Sequence, residues 1–173
     1  TYKQRSSKMI NLSRMSFHFS FCLFAASLNG IFNWTMTYRV DSDIYKPYGY
    51  VVQTQPLPSE LDAFIRTFGL KNAQKYSGKT KHAAWFVTNC ASKSNREGYV
   101  RELQKYIRVD VFGGCGPNKC ERKNQNDCVK MLDRDYLFYL SFENSLCDGY
   151  VTEKYFRTLD SFVVPVTFNK GNF

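Results

Sequence analysis

The amino-acid sequence predicts an α/β fold with a parallel sheet and crossover helices. Short apolar runs of strand type recur after residue 80, polar loops follow them, and segments with helical spacing separate them. Strands that alternate with helices pair in parallel and are joined by right-handed crossovers. The 173 residues suit one domain, or one domain with part of another.

The first strand is predicted at residues 83–88, and the polar loop 89–95 ends it. A helix is predicted next, because apolar residues recur at helical spacing with charges between them. These residues are Tyr99, Val100, Leu103, Tyr106 and Ile107. The second strand, 109–112, ends at a pair of glycines.

The third strand is predicted at residues 136–142 and a short helix at 153–157. Either Asp148 or Thr152 is a candidate cap for that helix, since both side chains accept hydrogen bonds from free backbone N–H groups. The fourth strand is predicted at 163–166, and Pro165 fits best at its end or at an edge of the sheet.

Composition excludes two classes of protein. Hydrophobic residues make up 43 % of the chain, which is enough for a core and argues against a disordered tail. The sequence contains no run of 18 or more apolar residues, so no membrane-spanning helix is predicted in this stretch. The formal charge of +9 indicates an anionic partner without identifying it.

The positive charge is concentrated at the start. Residues 1–40 contain no Asp or Glu but five basic residues, namely Lys3, Arg5, Lys8, Arg14 and Arg39. An apolar stretch, 17–28, lies among them and is too short to cross a bilayer. Three interpretations stay open: a signal peptide, a transit peptide, or a core segment or sequence foreign to the domain.

The cysteines indicate an oxidising compartment. Four of them fall within 33 residues, at spacings of five, eight and nineteen: Cys115, Cys120, Cys128 and Cys147. These spacings lack the C-x-x-C pairs of a zinc site, so a local disulfide group with three possible pairings is expected. Cys22 and Cys90 stand apart from it. Two glycosylation sequons, at Asn11 and Asn33, are consistent with secretion.

In parallel sheets the ligand lies outside the carboxyl ends of the strands. After the first predicted strand, this rule selects the segment from Thr88 and Asn89 to Arg96. After the third predicted strand, it selects Glu143 and Asn144. It also selects the start of the last helix, with Glu153 and Lys154.

An anion between the helix start, Lys154 and Arg96 explains a lysine in the first turn of a helix, where its charge opposes the helix dipole. The alternative is that Lys154 is a solvated surface lysine. The sequence has neither a G-x-x-x-x-G-K-S/T loop nor a G-x-G-x-x-G motif, which argues against a P-loop nucleotidase and an ordinary dinucleotide site.

Three blocks of the sequence resemble one enzyme family. They read FNWTMTYRVDSDIYKPYG (32–49), WFVTNCASKSNREGYVRELQKYIRVDVFG (85–113) and YLFYLSFENSLCDGYVTEK (136–154). In this order they resemble the α1,3/α1,4-fucosyltransferases, inverting enzymes that use GDP-fucose. The CGPNKC loop and the following MLDRDY are most similar to the invertebrate and plant enzymes that act on the core of N-glycans.

The resemblance implies a GT-B architecture of two facing Rossmann-like domains, of which this chain is an incomplete part. Residues 1–30 are then an acid-free segment that need not belong to the domain. Residues 31–80 are an interdomain or acceptor-side remnant, and residues 81–173 a truncated GDP-fucose-binding domain.

The resemblance also implies roles for individual residues. Arg96 and Lys154 would neutralise the diphosphate, and Glu153 would accept hydrogen bonds from ribose or sugar hydroxyls. The donor pocket would be lined by Tyr48, Thr88, Asn89, Tyr139, Asn144 and Tyr150. Fixed cations near a departing GDP stabilise the transition state more than the ground state.

Two cations can take the place of a metal, so we expect no divalent metal and no tightly bound cofactor. Asp41 and Asp43 imitate a D-x-D metal motif, and we expect them to be structural. Glu143 is either a buried structural acceptor or a sugar contact, and the structural role is favoured. The expected partners are GDP-fucose and an N-glycan of a glycoprotein, without nucleic acid.

The family resemblance further implies a type II membrane protein of the Golgi lumen, anchored by a segment not seen in this chain. An inverting transfer needs a general base. In the family this base is a Glu upstream of the first block, whereas nothing before Asp41 is acidic here and His18 is the only nearby titratable group with a suitable pKa. The family also continues beyond Phe173.

Three functional hypotheses remain. The first is a fucosyltransferase fragment with little or no activity by itself. The second is an inactive nucleotide-sugar or glycan-binding remnant that lacks the general base. The third is a basic nucleic-acid binder, which is disfavoured because the charge is concentrated in the acid-free start and the aromatic residues follow strands and helices.

Overall fold

The structure, a computed structural model, describes residues 9–11, 34–50, 76–120 and 125–168. Within these ranges lie two parallel sheets. The first has the order β1-β2-β3, with β1 at Met9–Asn11, β2 at Trp34–Thr37 and β3 at Ile44–Tyr45. Met9 is in register with Trp34, so this sheet joins residues from both sides of position 30.

The second sheet contains the four strands expected after residue 80. They are β4 (Lys81–Phe86), β5 (Val109–Phe112), β6 (Tyr136–Leu140) and β7 (Val164–Val166). Their order is β5-β4-β6-β7, and each neighbouring pair is parallel. The predicted parallel α/β sheet is therefore confirmed.

Three helices connect these strands in turn: α1 (Arg96–Leu103), α2 (Gln125–Asp135) and α3 (Glu153–Phe156). The sequence predicted α1 and α3 but not α2. Cys128 and Leu132, one helical turn apart, are both buried, which is the apolar stripe of an amphipathic helix. That stripe is short, and the neighbouring cysteines had indicated only a disulfide loop.

The core lies on both faces of the central strand β4. On one face Trp85 packs with Val100 of α1 and Phe142, while on the other Ala84 packs with Leu132 of α2 and with Tyr139. A strand that is covered on both sides needs a continuous apolar run, which explains the sequence AAWFV. The crossover helices on the two faces join parallel strands. The carboxyl ends of these strands therefore lie at the same edge of the sheet.

Pro165 lies in β7, which is an edge strand among the described residues, as predicted for a residue without a backbone N–H. In the described ranges, the helices all fall short of the length and apolarity that crossing a bilayer requires. Of the two sequons, Asn11 is the last residue of β1, and Asn33 lies outside the described residues.

The disulfides differ from the predicted local group. Cys90 pairs with Cys115, with their Cα atoms 5.3 Å apart, and Cys120 pairs with Cys128, with Cα atoms 6.1 Å apart. Cys147 is also disulfide-bonded. The expectation that Cys90 stands apart is wrong: it follows β4 and Cys115 follows β5, and pairing of these strands brings the two loops together.

Candidate functional site

The carboxyl ends of β4 and β6 lie side by side because the two strands are paired. The loops that follow them are hydrogen-bonded to each other. Ser94 donates from its Oγ to the carbonyl oxygen of Glu143 at 2.7 Å and from its backbone N to that of Asn144 at 3.2 Å. The two segments selected by the sequence, 88–96 and 143–144, thus form one continuous surface.

Arg96, the first residue of α1, fixes these loops. Its Nη1 donates to the carbonyl oxygen of Phe142 at 2.6 Å and its Nη2 to that of Asn89 at 3.1 Å. The guanidinium carbon lies 5.5 Å from the centre of the Trp85 ring, and the residue is 3 % exposed. Arg96 therefore has a structural role that sequence reasoning missed. Its contact with a diphosphate stays a prediction.

Glu143 is the buried centre of the site. Its Oε1 accepts hydrogen bonds from the backbone N of Thr152 at 3.0 Å and from Thr152 Oγ1 at 2.6 Å, and its Oε2 accepts from Lys154 Nζ at 2.8 Å. Glu143 is 3 % exposed, so these bonds compensate the loss of water around its charge. The predicted structural role of Glu143 is confirmed.

Lys154 is held in place rather than freely solvated. Besides Glu143, its Nζ donates to Thr152 Oγ1 at 2.9 Å, and its side chain is 26 % exposed. Thr152 is the N-cap of α3, one of the two predicted caps. Since α3 has only four residues, the ammonium group supplies the positive charge at this point and the helix dipole adds little.

The structure brings both predicted cations to the same segment. Arg96 bonds to Phe142, and Lys154 bonds to the next residue, Glu143. Both side chains thus lie at the carboxyl edge of the sheet, where an anion would approach. Glu153 lies beside them with its side chain 51 % exposed, 3.6 Å from Lys154 Nζ.

Two of the predicted pocket residues, Tyr48 and Tyr150, lie close to these carboxylates. Burial, and after it the negative charges of Glu153 and Glu143, raises the pKa of Tyr48. Burial and the charge of Glu143 likewise raise the pKa of Tyr150. The structure therefore brings residues more than 100 positions apart in sequence into one polar cluster.

The segment 34–50 contacts this cluster, and two of the contacts are a packing of rings and a close approach. The rings of Tyr38 and Tyr150 have centroids 5.0 Å apart, at an angle of 49°. Gly49 lies against Phe156 of α3 so closely that a Cβ at this position would overlap the Phe156 ring. Tyr38 was not among the predicted site residues. Its only sequence signal was its place in the first of the three family-like blocks.

Tyr139 lies in the core of the described residues, and its predicted role in the pocket stays a prediction. Tyr139 is 5 % exposed and belongs to the core on the α2 face of the sheet, with its ring centroid 5.5 Å from that of Phe86. Burial raises the pKa of its hydroxyl. Successive side chains of a strand point to opposite faces of the sheet. At position 139 of β6 the side chain points to the face that α2 covers. Thr88, in contrast, is exposed, and Asn89 and Asn144 are partly exposed at the edge.

Asp41 and Asp43 serve structural purposes, as predicted. Arg39 donates from Nε and Nη2 to the two carboxylate oxygens of Asp41, at 2.7 and 2.6 Å. Asp43 accepts two hydrogen bonds from Thr35, both at 2.8 Å, and these bonds lower the pKa of its carboxyl group. Among the described residues, no three His, Cys, Asp or Glu side chains form a group that would hold a metal ion.

The fold and the site define a class: an α/β protein that gathers fixed cations, a carboxylate and tyrosines at the carboxyl edge of a parallel sheet, where such folds bind their ligands. Sequence comparison specifies it further. Residues 76–173 match the C-terminal part of glycosyltransferase family 10 (fucosyltransferase), and residues 13–49 match the fucosyltransferase N-terminal domain. The chain belongs to glycosyltransferase family 10, the fucosyltransferases.

Individual relatives agree with this. Alpha-(1,3)-fucosyltransferase C of Drosophila melanogaster is 43 % identical over 157 residues, covering 83 % of this chain and 36 % of the relative. Glycoprotein 3-alpha-L-fucosyltransferase A of the same organism is 42 % identical over 139 residues, covering 78 % and 25 %. The chain thus spans between a quarter and about a third of the length of these relatives.

A solved structure shows the same fold. The crystal structure of an alpha1,3-fucosyltransferase with GDP-fucose superposes with a TM-score of 0.60 and 16 % sequence identity. The match covers 96 % of this chain and 54 % of that one. The expected glycosyltransferase fold is confirmed, with this chain corresponding to about half of it.

Proposed function

We propose that this chain is part of an α1,3-fucosyltransferase that transfers fucose from GDP-fucose to a GlcNAc residue of a glycoprotein glycan, with inversion at the anomeric carbon. Family membership and the names of the two Drosophila relatives support the transfer of fucose. The CGPNKC loop resembles that of enzymes that act on the core of N-glycans, and we therefore propose this core as the acceptor.

The observation that carries the proposal is the Glu143–Thr152–Lys154 network. Glu143 and Thr152 hold the ammonium group of Lys154 at the edge of the sheet. When the bond between fucose and phosphate breaks, negative charge grows on the departing GDP. A cation that is already in place stabilises this charge without reorganisation and therefore lowers the barrier.

The other site residues support the same reaction. Arg96 fixes the loops that carry Asn89 and Asn144, and it adds positive charge behind them. The exposed carboxylate of Glu153 is an acceptor for ribose or fucose hydroxyl groups. Tyr48, Tyr150 and Thr88 complete the surface on which the donor would lie.

A second candidate is binding of GDP-fucose without transfer. It is favoured by one observation: residues 1–40, where the family resemblance implies an upstream general base, contain no Asp or Glu. Loss of a general base lowers the rate by about 10²- to 10⁴-fold while leaving donor binding intact.

We also place the protein in the Golgi lumen, anchored by a membrane segment outside this sequence. Support comes from the two disulfides of the described residues, Cys90–Cys115 and Cys120–Cys128, because disulfides persist in oxidising compartments such as the secretory pathway. Retention of a fluorescently tagged full-length protein in the cytosol would contradict this placement.

Calorimetric titration with GDP tests the donor site. We expect Lys154→Gln to weaken GDP binding by about 10- to 100-fold, because a charge-assisted hydrogen bond to phosphate is lost. The glutamine amide still donates to Glu143, so the buried carboxylate keeps a partner. Lys105→Ala is the control: this lysine is 65 % exposed and pairs with Glu102 at 2.7 Å near the end of α1. Equal affinities in wild type and Lys154→Gln would refute the role of Lys154.

Turnover separates the two candidates. The full-length protein is incubated with radiolabelled GDP-fucose and a GlcNAc-terminated N-glycopeptide, and incorporation of fucose is counted. Incorporation with an α-linked product identifies the transferase, whereas GDP binding without incorporation identifies the binding protein. Failure to bind GDP would overturn both.

A further inference from the structure

The contact between Tyr38 and Tyr150 joins two parts of the chain that the sequence keeps far apart. Tyr38 follows β2 of the first sheet, and Tyr150 lies between β6 and α3 of the second sheet. Their ring centroids are 5.0 Å apart and tilted by 49°. This spacing lies in the range in which aromatic pairs attract each other beyond their apolar contact.

Tyr150 lies in the loop between β6 and α3. It follows Gly149, which has a positive φ of 68° and no atom within 4 Å of the position of a Cβ. The ring of Tyr150 lies against that of Tyr38.

The surroundings of Tyr38 explain how it is itself held. The next residue, Arg39, forms a two-point ion pair with Asp41, and the backbone N of Arg39 donates to Thr37 Oγ1 at 3.0 Å. These bonds tie the backbone on the carboxyl side of Tyr38 into a compact turn. Tyr38 is therefore a fixed support, half-buried under the tyrosine that it contacts.

We infer that Tyr38 is a positioning residue, which holds the ring of Tyr150 in the orientation that binds the GDP moiety. This inference rests on the proposed function, since it takes Tyr150 as part of the donor site. It goes beyond that proposal in assigning a role in donor binding to Tyr38, which is not part of the proposed donor surface. The role requires the ring of Tyr38 and not its hydroxyl, because the contact is between rings.

Calorimetric titration with GDP tests the inference in a double-mutant cycle. The variants are Tyr38→Leu, Tyr150→Leu and the double variant, with Tyr38→Phe as the conservative substitution and Tyr106→Leu as control. Tyr106 is 78 % exposed and lies after α1, near the amino ends of the strands. If Tyr38→Leu lowers the yield of folded protein, Tyr38→Met replaces it, since Met has similar apolar volume without a ring.

We expect Tyr38→Leu to weaken GDP binding by about two- to tenfold, the strength of an aromatic pair. Tyr38→Phe should restore wild-type affinity, and Tyr106→Leu should not change it. The double variant should bind no more weakly than Tyr150→Leu alone, because Tyr38 acts only through Tyr150.

Three outcomes would overturn the inference. Unchanged affinity in Tyr38→Leu, while Tyr150→Leu is weakened, removes the role of Tyr38 and leaves the donor site standing. Additive losses in the double variant make Tyr38 an independent contributor and not a positioning residue. Absence of GDP binding in the wild type overturns the proposed function together with this inference.

Discussion

At the scale of single residues, Glu143 determines the geometry of the site. A carboxylate that is 3 % exposed is stable in the charged form only when its oxygens are hydrogen-bonded, and three donors from Thr152 and Lys154 meet this need. The same bonds fix the start of α3 and the position of the Lys154 ammonium group. One buried charge thus orders two neighbouring groups.

We predict that Glu143→Gln lowers the free energy of unfolding by about 2–3 kcal/mol, because it leaves a partly buried ammonium group without its counter-charge. Urea unfolding measures the change. Glu153→Gln is the matched control: its side chain is 51 % exposed, its ion pairs are 3.6 and 3.9 Å long, and its loss should cost less than about 0.5 kcal/mol. Equal effects of the two substitutions would contradict the role given to Glu143.

A second residue-scale prediction concerns pH. Burial raises the pKa of Asp110, but hydrogen bonds from Tyr136 Oη at 2.7 Å and Arg108 Nε at 3.0 Å outweigh it, so that the pKa lies below the usual 3.8. Asp110 therefore contributes stability above about pH 4, and this contribution is lost as the pH falls through the folded-state pKa.

Asp110→Asn should accordingly be about 1–2 kcal/mol less stable than the wild type at pH 7. The difference in the free energy of unfolding between the two proteins should decrease as the pH falls below about 4. Chemical unfolding at a series of pH values provides the comparison. If this difference in the free energy of unfolding stays constant down to pH 2, the charge of Asp110 is not what stabilises the fold.

At the scale of elements, the loops after β4 and β5 pack closely against each other. Gly113 directly follows β5 and has a φ of 101°. A Cβ at this position would lie 2.6 Å from the carbonyl oxygen of Val87. The Cys90–Cys115 disulfide links the same two loops next to Thr88 and Asn89. The loop after β5 thereby stabilises the loop after β4, which carries part of the candidate site.

We predict that Gly113→Ala lowers the free energy of unfolding by about 2–4 kcal/mol, since it adds a backbone clash to an unfavourable φ. Gly149→Ala is the matched control, because its φ is also positive at 68° but nothing lies within 4 Å of the new Cβ. It should cost only about 1 kcal/mol. Equal losses in both variants would show that φ alone, and not the close approach to Val87, makes Gly113 necessary.

At the scale of the whole molecule, the charge distribution favours an anionic donor bound without a bridging metal. Lys154 is fixed at the edge of the sheet, and the carboxylates of Asp41 and Asp43 are already bonded to Arg39 and Thr35. We therefore predict that EDTA leaves the affinity for GDP unchanged within about twofold, measured by calorimetry before and after addition of Mg²⁺. A gain of tenfold or more with Mg²⁺ would contradict this prediction.

The sequence alone predicted the four strands β4 to β7 and the helices α1 and α3, because their periodicities are local properties of the chain. It also located Lys154, Arg96 and Glu143 at the carboxyl edge, since that position follows from parallel pairing. Helix α2 escaped prediction because its apolar stripe is short and lies beside a cysteine-rich loop. The resemblance of three blocks was sufficient to predict the family.

Only the tertiary structure decided which side chains meet. The pairing of Cys90 with Cys115, the burial of Tyr139, the bond from Lys154 to Glu143 and the contact of Tyr38 with Tyr150 join residues that are between 11 and 112 positions apart, or depend on which face of a strand is covered. Such contacts depend on how sheets and helices pack in space. Packing is a cooperative property of the folded chain, so no local pattern in the sequence encodes it.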